Sequence, residues 1–384
     1  MLPIKLIRGE RKMKKYGILC ITMLLIVSLG LYIAGCASQT PGTVDSEPEE
    51  NTEAQAGKEV ITLSLVSMFP PTAFQCTEIL DPLAEEIEKA SNGRIKIDLY
   101  HGGTLLGAGE ELDGVIQGSA DMAYMMPGYF PGRFPLAELL GMPGTPLMSS
   151  KSASLALEEV HSNVEFDELK DVKVLIPISM GPGAFISKKP FRSLEDMKGL
   201  TYRATSEMSP AVVAIEGSSA SLTMAECYEA LSRGVVDATF TPVEALKTWR
   251  LAEAANYLTP QLGLNDPIHY IIMNLEVFNS LPEDLQTILE ETAYKFWQET
   301  GIEAIDNADK EAFDYAIEEG MEVIHLPDAD RATFLERVST LQEERAKELD
   351  AQGLPGTEAL KIFREATEKY DNMYPPAYAD MYKK

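Results

Sequence analysis

Histidine and cysteine are scarce, four of each among 384 residues, and their scarcity removes much chemistry. His101, His161, His269 and His325 are scattered, with no His-Glu-x-x-His run and no paired spacing, so neither a metal nor a cofactor is expected. There is no glycine loop of the Walker or dinucleotide type, no Gly-x-Ser-x-Gly elbow and no catalytic cysteine signature. Acid pairs such as Glu110 and Glu111 fall on a predicted helix surface, where solvation rather than acid-base catalysis is expected. The reading is of a non-enzyme.

Basic residues are also short, 33 against 60 acids, for a net charge of −27. Six of the bases (Lys5, Arg8, Arg11, Lys12, Lys14, Lys15) precede an apolar run over 18–35, and together they read as an export signal over 1–35. The run is nearly long enough to span a bilayer, so an uncleaved anchor is the competing reading. Its end, Ile33-Ala34-Gly35-Cys36, resembles a lipobox, which implies lipidation of Cys36 and a protein held on the outer face of a membrane. Loss of those six bases and one acid, Glu10, moves the net charge from −27 to −32. Such a surface repels nucleic acid and anionic membranes. An anionic ligand must then be drawn in by local positive charge, which raises the weight of any arginine in a cleft.

Residues 36–58 are rich in Ser, Thr, Pro, Gly and acids and have almost nothing to bury, so a disordered acidic tether is expected. Beyond the leader only Cys76 and Cys227 remain, in different predicted halves of the chain, and both are expected to be free, packed thiols. With 45% hydrophobic and 8% aromatic residues, the chain can bury one large or two ordinary cores.

Alternation predicts strands over Val60–Ser67 and Arg94–Leu99, and Val172–Met180 reads as a crossing strand. The turns Gly118…Asp121 and Gly234…Asp237 echo one another, each a helix end followed by a strand. A long helix is expected from an N-cap at Ser280 to about Glu319, then a strand over Gly320–His325. Pro82 either kinks the helix through Ile79, Leu83 and Ile87 or stands at its first turn. The irregular Tyr124–Pro135 segment, rich in Pro, Gly, Met and aromatics, either lines an apolar pocket or packs internally.

Arg203 closes a short apolar run inside the stretch Leu194–Thr241, and a guanidinium at a strand end can grip a carboxylate with two parallel charge-assisted bonds. The alternative is a surface arginine paired with one of the many acids. Around it, Phe69, Met126, Phe185, Met224 and Phe240 are candidate pocket walls, with Thr205 and Thr241 as the polar complement; core packing is the alternative for each.

Met197–Arg203 (MKGLTYR), Glu226–Asp237 (ECYEALSRGVVD) and Asn92–Gly107 (NGRIKIDLYHGGTLLG) resemble, in order and spacing, segments of the DctP-type solute receptors of TRAP transporters. The resemblance covers about 60–370. It implies an α/β, two-lobed periplasmic-binding-protein-like fold, with a ligand cleft between lobes and a long helix bracing both. Lobe I would hold 59–180 and 267–308, lobe II 181–266 and 309–362, and 363–384 a C-terminal helix and tail. Ile268–Asn274 resembles the strand that returns to lobe I. It implies Arg203 as the carboxylate-binding residue and an integral-membrane TRAP permease as partner, driven by an ion gradient, with the receptor a monomer. A lipid-anchored sensor for a signalling protein is the rival. The sequence departs from family patterns at Thr241, where an asparagine is common, at Met224 in place of an aromatic, at Gly183 in place of a second arginine, and over Ala238–Thr241, which lacks a Trp-Glu pair. Sialic acid and metal-bridged keto acids are thereby disfavoured, and a monocarboxylate with an apolar body is expected.

Overall fold

The computed structural model describes residues 60–260 and 267–374. The leader, Cys36 and the expected tether lie outside the described residues. Among the described residues eleven strands form two sheets: β1 (Ile61–Val66), β2 (Ile95–Tyr100), β3 (Met122–Met125), β4 (Val172–Ser179), β5 (Gly183–Ser187), β6 (Thr201–Arg203), β7 (Ser218–Ala220), β8 (Ala238–Pro242), β9 (Tyr257–Thr259), β10 (Ile268–Asn274) and β11 (Glu322–Val323). The first sheet runs β2-β1-β3-β10-β4, the second β11-β9-β5-β8-β6-β7.

The two sheets share a plan. In the first, β1 is parallel to β2 and β3, and β10 enters antiparallel beside β3; in the second, β6 is parallel to β7 and β8, and β5 enters antiparallel beside β8. The two Gly…Asp turns fix the same joint in each. Gly118 and Gly234 take positive φ (75° and 73°), and the following aspartates reach a neighbouring strand, Asp121 Oδ2 accepting from Ser64 N–H at 2.7 Å and Asp237 Oδ2 from Thr201 N–H at 3.0 Å.

The chain crosses from β4 to β5 through Met180-Gly181-Pro182. Gly181 has φ +86°, and a Cβ there would stand 2.6 Å from Ser150 Oγ, so the crossing requires glycine twice over. The brace is Glu283–Phe296 followed without a break by a π-turn, Trp297–Gly301, and Ile302–Glu318. Its first half packs on the helix Asp81–Ala90, and its second on the helices Ser150–Asn163 and Ala245–Thr248. The wider π-turn coincides with buried Trp297, whose ring fills the space a Cβ on Gly301 would need.

Several local expectations shift. Ser280 ends the helix Leu275–Ser280, and the brace starts instead at Glu283, because a residue before proline avoids the helical region and Leu281 is extended (φ −66°, ψ 147°). Pro82 sits in the first turn of Asp81–Ala90 behind a π-helical segment, Gln75–Leu80, which shifts the hydrogen-bond register ahead of the missing N–H. The strand expected over Gly320–His325 shrinks to two residues. Glu111 is not solvated: it is buried, with Oε2 accepting Gly109 N–H at 2.7 Å, and burial pushes its carboxyl up to about 7.

Candidate functional site

Arg203 ends β6 and is 3% exposed. β6 lies between β7 and β8, so the pleat turns Tyr202 to one face and Arg203 to the other. Its Nε donates to Leu222 O at 2.9 Å and Nη2 to Tyr129 Oη at 3.3 Å. Among the described residues no carboxylate lies within ion-pair distance of Arg203, and Nη1 has no protein acceptor. A buried guanidinium without a counter-ion is costly, so an anion from outside would find a strong partner here.

The candidate pocket residues divide. Phe69, Met126 and Met224 belong to one apolar core that runs from the first sheet across to the second, and Thr241 Oγ1 stands 3.8 Å from Met224 Sδ. Phe69 meets Tyr124 edge-on at 5.1 Å and Trp249 at 6.1 Å. Thr205 is buried in the turn after Arg203, its carbonyl accepting from Met208 and Ser209 N–H. Phe185 and Phe240, by contrast, stand opposite each other in the β5–β8 register and point to the other face of the second sheet. There Phe185 is enclosed by Phe191, Tyr202, Phe240 and Phe334 at centroid distances of 5.5 to 6.3 Å. These two are core residues facing away from Arg203.

Tyr129, in the turn Pro127–Tyr129 after β3 and within the segment left open between pocket lining and internal packing, makes a contact with Arg203 that the sequence did not single out. Its oxygen accepts both Arg203 Nη2–H and the Met224 N–H, at 3.0 Å, at the start of the helix Met224–Arg233. Burial raises its phenol above the ordinary value, against the lowering pull of Arg203. Beside it Glu207, 4% exposed, is also pushed up by burial, and its carboxyl fills the space a side chain on Gly128 would need.

A separate cavity of about 780 Å³ lies where Thr72, Phe74, Glu244, Lys247 and Asn307 converge. Its cations are already paired, Lys247 with Glu311 (2.7 Å), Arg250 with Glu253 (2.6 Å) and Lys310 with Asp314 (2.9 Å), so it offers an incoming carboxylate less than Arg203 does. Under it Glu244 N–H donates to Asp309 Oδ1 (2.9 Å) and Gln75 Nε2 to Glu244 Oε1 (3.2 Å). Burial pushes the Glu244 carboxyl up from 4.5 to about 7. The folded chain therefore holds a proton that the unfolded chain releases near 4.5. This contribution to stability is complete below that pH and is lost as pH rises through about 7. Glu244→Gln is expected to flatten that part of the pH–stability curve and to gain about 1–3 kcal/mol at pH 8, read by urea denaturation. A variant curve parallel to wild type would show that Glu244 does not titrate there.

Cys76 and Cys227 are both free and buried, and burial pushes the Cys76 thiol up to about 12. A buried thiol held protonated is a poor nucleophile.

The family model described as bacterial extracellular solute-binding protein, family 7 (DctP), matches residues 66–348. A solute-binding protein of Albidiferax ferrireducens is 27% identical over 54% of this chain, which spans 62% of that relative's length. Among solved structures, a TRAP periplasmic solute-binding protein of Desulfovibrio salexigens is 32% identical, covering 83% of this chain and 99% of its own, with a TM-score of 0.70. It is an open complex with the C-terminus of a symmetry mate in its ligand-binding site. Another, from Bordetella bronchiseptica, holds (R)- and (S)-mandelate and is 28% identical, covering 81% and 100%, with a TM-score of 0.74. With the family match spanning most of both sheets and the brace, this chain belongs to the DctP family of extracellular solute-binding proteins, the two-lobed TRAP receptors, and is a binding protein rather than an enzyme.

Proposed function

We propose that the protein is the extracytoplasmic receptor of a TRAP-type secondary transporter, that it captures a small organic monocarboxylate through Arg203, and that it delivers the ligand to the membrane permease. The observation that carries this reading is a buried arginine at a strand end with a free Nη1 and no carboxylate partner among the described residues. One such cation matches one carboxylate, and a second buried carboxylate would be left unpaired. Phe69, Met126 and Met224 supply apolar, polarizable surface for the ligand body, with Thr241 and Thr205 as the polar complement. The mandelate bound by a relative 28% identical has this make-up, a carboxylate on an aromatic body. Lobe I would comprise 59–180 and 267–308 and lobe II 181–266 and 309–362, closing on the ligand as a monomer.

Attachment to the membrane is proposed through a lipidated Cys36, at the head of the acidic segment 36–58. The mass of the mature N-terminal peptide checks it; an unmodified or uncleaved terminus removes the anchor. The ligand reading is tested by calorimetry with mandelate, benzoate, isovalerate, succinate and gluconate. Tight binding of an aromatic or branched monocarboxylate is expected, whereas tight succinate or gluconate binding with the monocarboxylates inert overturns the assignment.

A further inference from the structure

We propose that Tyr129 is a second ligand-binding residue, its phenolic O–H donating to the carboxylate that Arg203 holds. The inference rests on the reading given under Proposed function and adds to it a neutral donor supplied from the opposite side of the cleft.

The argument is one of hydrogen-bond accounting. The Tyr129 oxygen receives two donors from the second lobe, Arg203 Nη2–H at 3.3 Å and Met224 N–H at 3.0 Å. Two acceptances use both lone pairs of a hydroxyl oxygen, so its own proton must point away from both donors. Among the described residues that proton has no acceptor. Arg203, 3% exposed, likewise keeps Nη1 without an acceptor among the described residues, its Nε bonding Leu222 O and its Nη2 bonding Tyr129. Two unsatisfied donors, one cationic and one neutral, therefore stand side by side, joined through the Nη2···Oη contact. A carboxylate has two oxygens that accept along separate directions, and this pair presents one donor to each.

The phenol is suited to the task. Burial keeps it protonated at neutral pH, so it remains a donor, and the two donors that polarise its oxygen strengthen the bond that its proton makes. Its ring is carried by the loop after β3, whereas Arg203 and Met224 belong to the second sheet and the helix that follows it. One carboxylate bridging Arg203 and Tyr129 thus touches both sides of the cleft, and its binding free energy is available to hold them together. A carboxylic acid is favoured over its amide, which would bring an N–H donor against one of two donors.

Tyr129→Phe removes only the oxygen. Calorimetry with mandelate, benzoate and isovalerate is expected to show about ten-fold weaker binding by this variant for whichever of them wild type binds, with at most a modest fall in the melting temperature of the free protein from the two donors the oxygen no longer accepts. Affinity within two-fold of wild type, while Arg203→Ala weakens binding by about 30-fold or more, overturns the role of Tyr129 and leaves the receptor reading intact. If none of the three binds wild type, the monocarboxylate reading fails and this inference with it. Should the variant melt much lower, a crystal of wild type grown with the bound acid decides: a carboxylate oxygen within hydrogen-bond distance of Tyr129 Oη supports the proposal, and a carboxylate held by Arg203 with Tyr129 turned elsewhere overturns it.

Discussion

Arg203→Ala is expected to lose about 2–4 kcal/mol of ligand binding, about 30-fold to 1000-fold in affinity. The size follows from where the guanidinium sits. It is nearly fully buried at the end of β6, with Nε fixed by Leu222 O and Nη2 by Tyr129, so its free edge is already aimed before ligand arrives. Truncation leaves an anion enclosed without a counter-charge, which costs more than the mean of a surface ion pair. Arg203→Lys is expected to fail less completely. A single ammonium keeps the charge but cannot meet Leu222, Tyr129 and a carboxylate with a planar fork. Calorimetry against the best monocarboxylate of the panel reads both variants, and an alanine variant within a few-fold of wild type would leave Arg203 with a packing role only.

Phe185→Ala is expected to act on stability instead, by about 3–5 kcal/mol. The ring is wholly buried among Phe191, Tyr202, Phe240 and Phe334, aromatic neighbours that cannot collapse into the void without breaking their own edge-to-face contacts. The midpoint of urea unfolding should drop accordingly. Ligand affinity of the fraction that remains folded is expected to stay within about two-fold, since the ring faces away from Arg203. A variant of normal stability with lost binding would put Phe185 in the ligand site. The two substitutions, 18 residues apart in the chain, thus separate binding from folding on opposite faces of one sheet.

Much of this was open to reading in the chain itself. The local pattern marked β1, β2 and β4 to within a residue or two, and resemblance marked β10, which is buried at every position and carries no alternation of its own. The paired Gly…Asp turns announced a repeated joint, because only a residue without a side chain closes a helix in the left-handed region at little strain. Arg203 was visible as the charged end of the apolar run Leu200–Tyr202, and the family through MKGLTYR and ECYEALSRGVVD.

What alternation cannot supply is which parity faces the cleft when both faces of a strand are covered. β5 and β8 are buried at every position, so Phe185 and Phe240 carried no mark of their side; the sheet order, with β5 beside β8, decided it. Tyr129 lies 74 residues from Arg203, and Gln75, Glu244 and Asp309 come from three separate segments. Such meetings depend on how the sheets and the brace are laid against one another. The residue types, their local periods and the left-handed turns are properties of short stretches of chain, and the sequence determined them by itself. The pairing of Arg203 with Tyr129, the burial that raises the Glu244 carboxyl, and the division between rings that face away from Arg203 and those on its side of the sheet are long-range, and only the tertiary structure decided them.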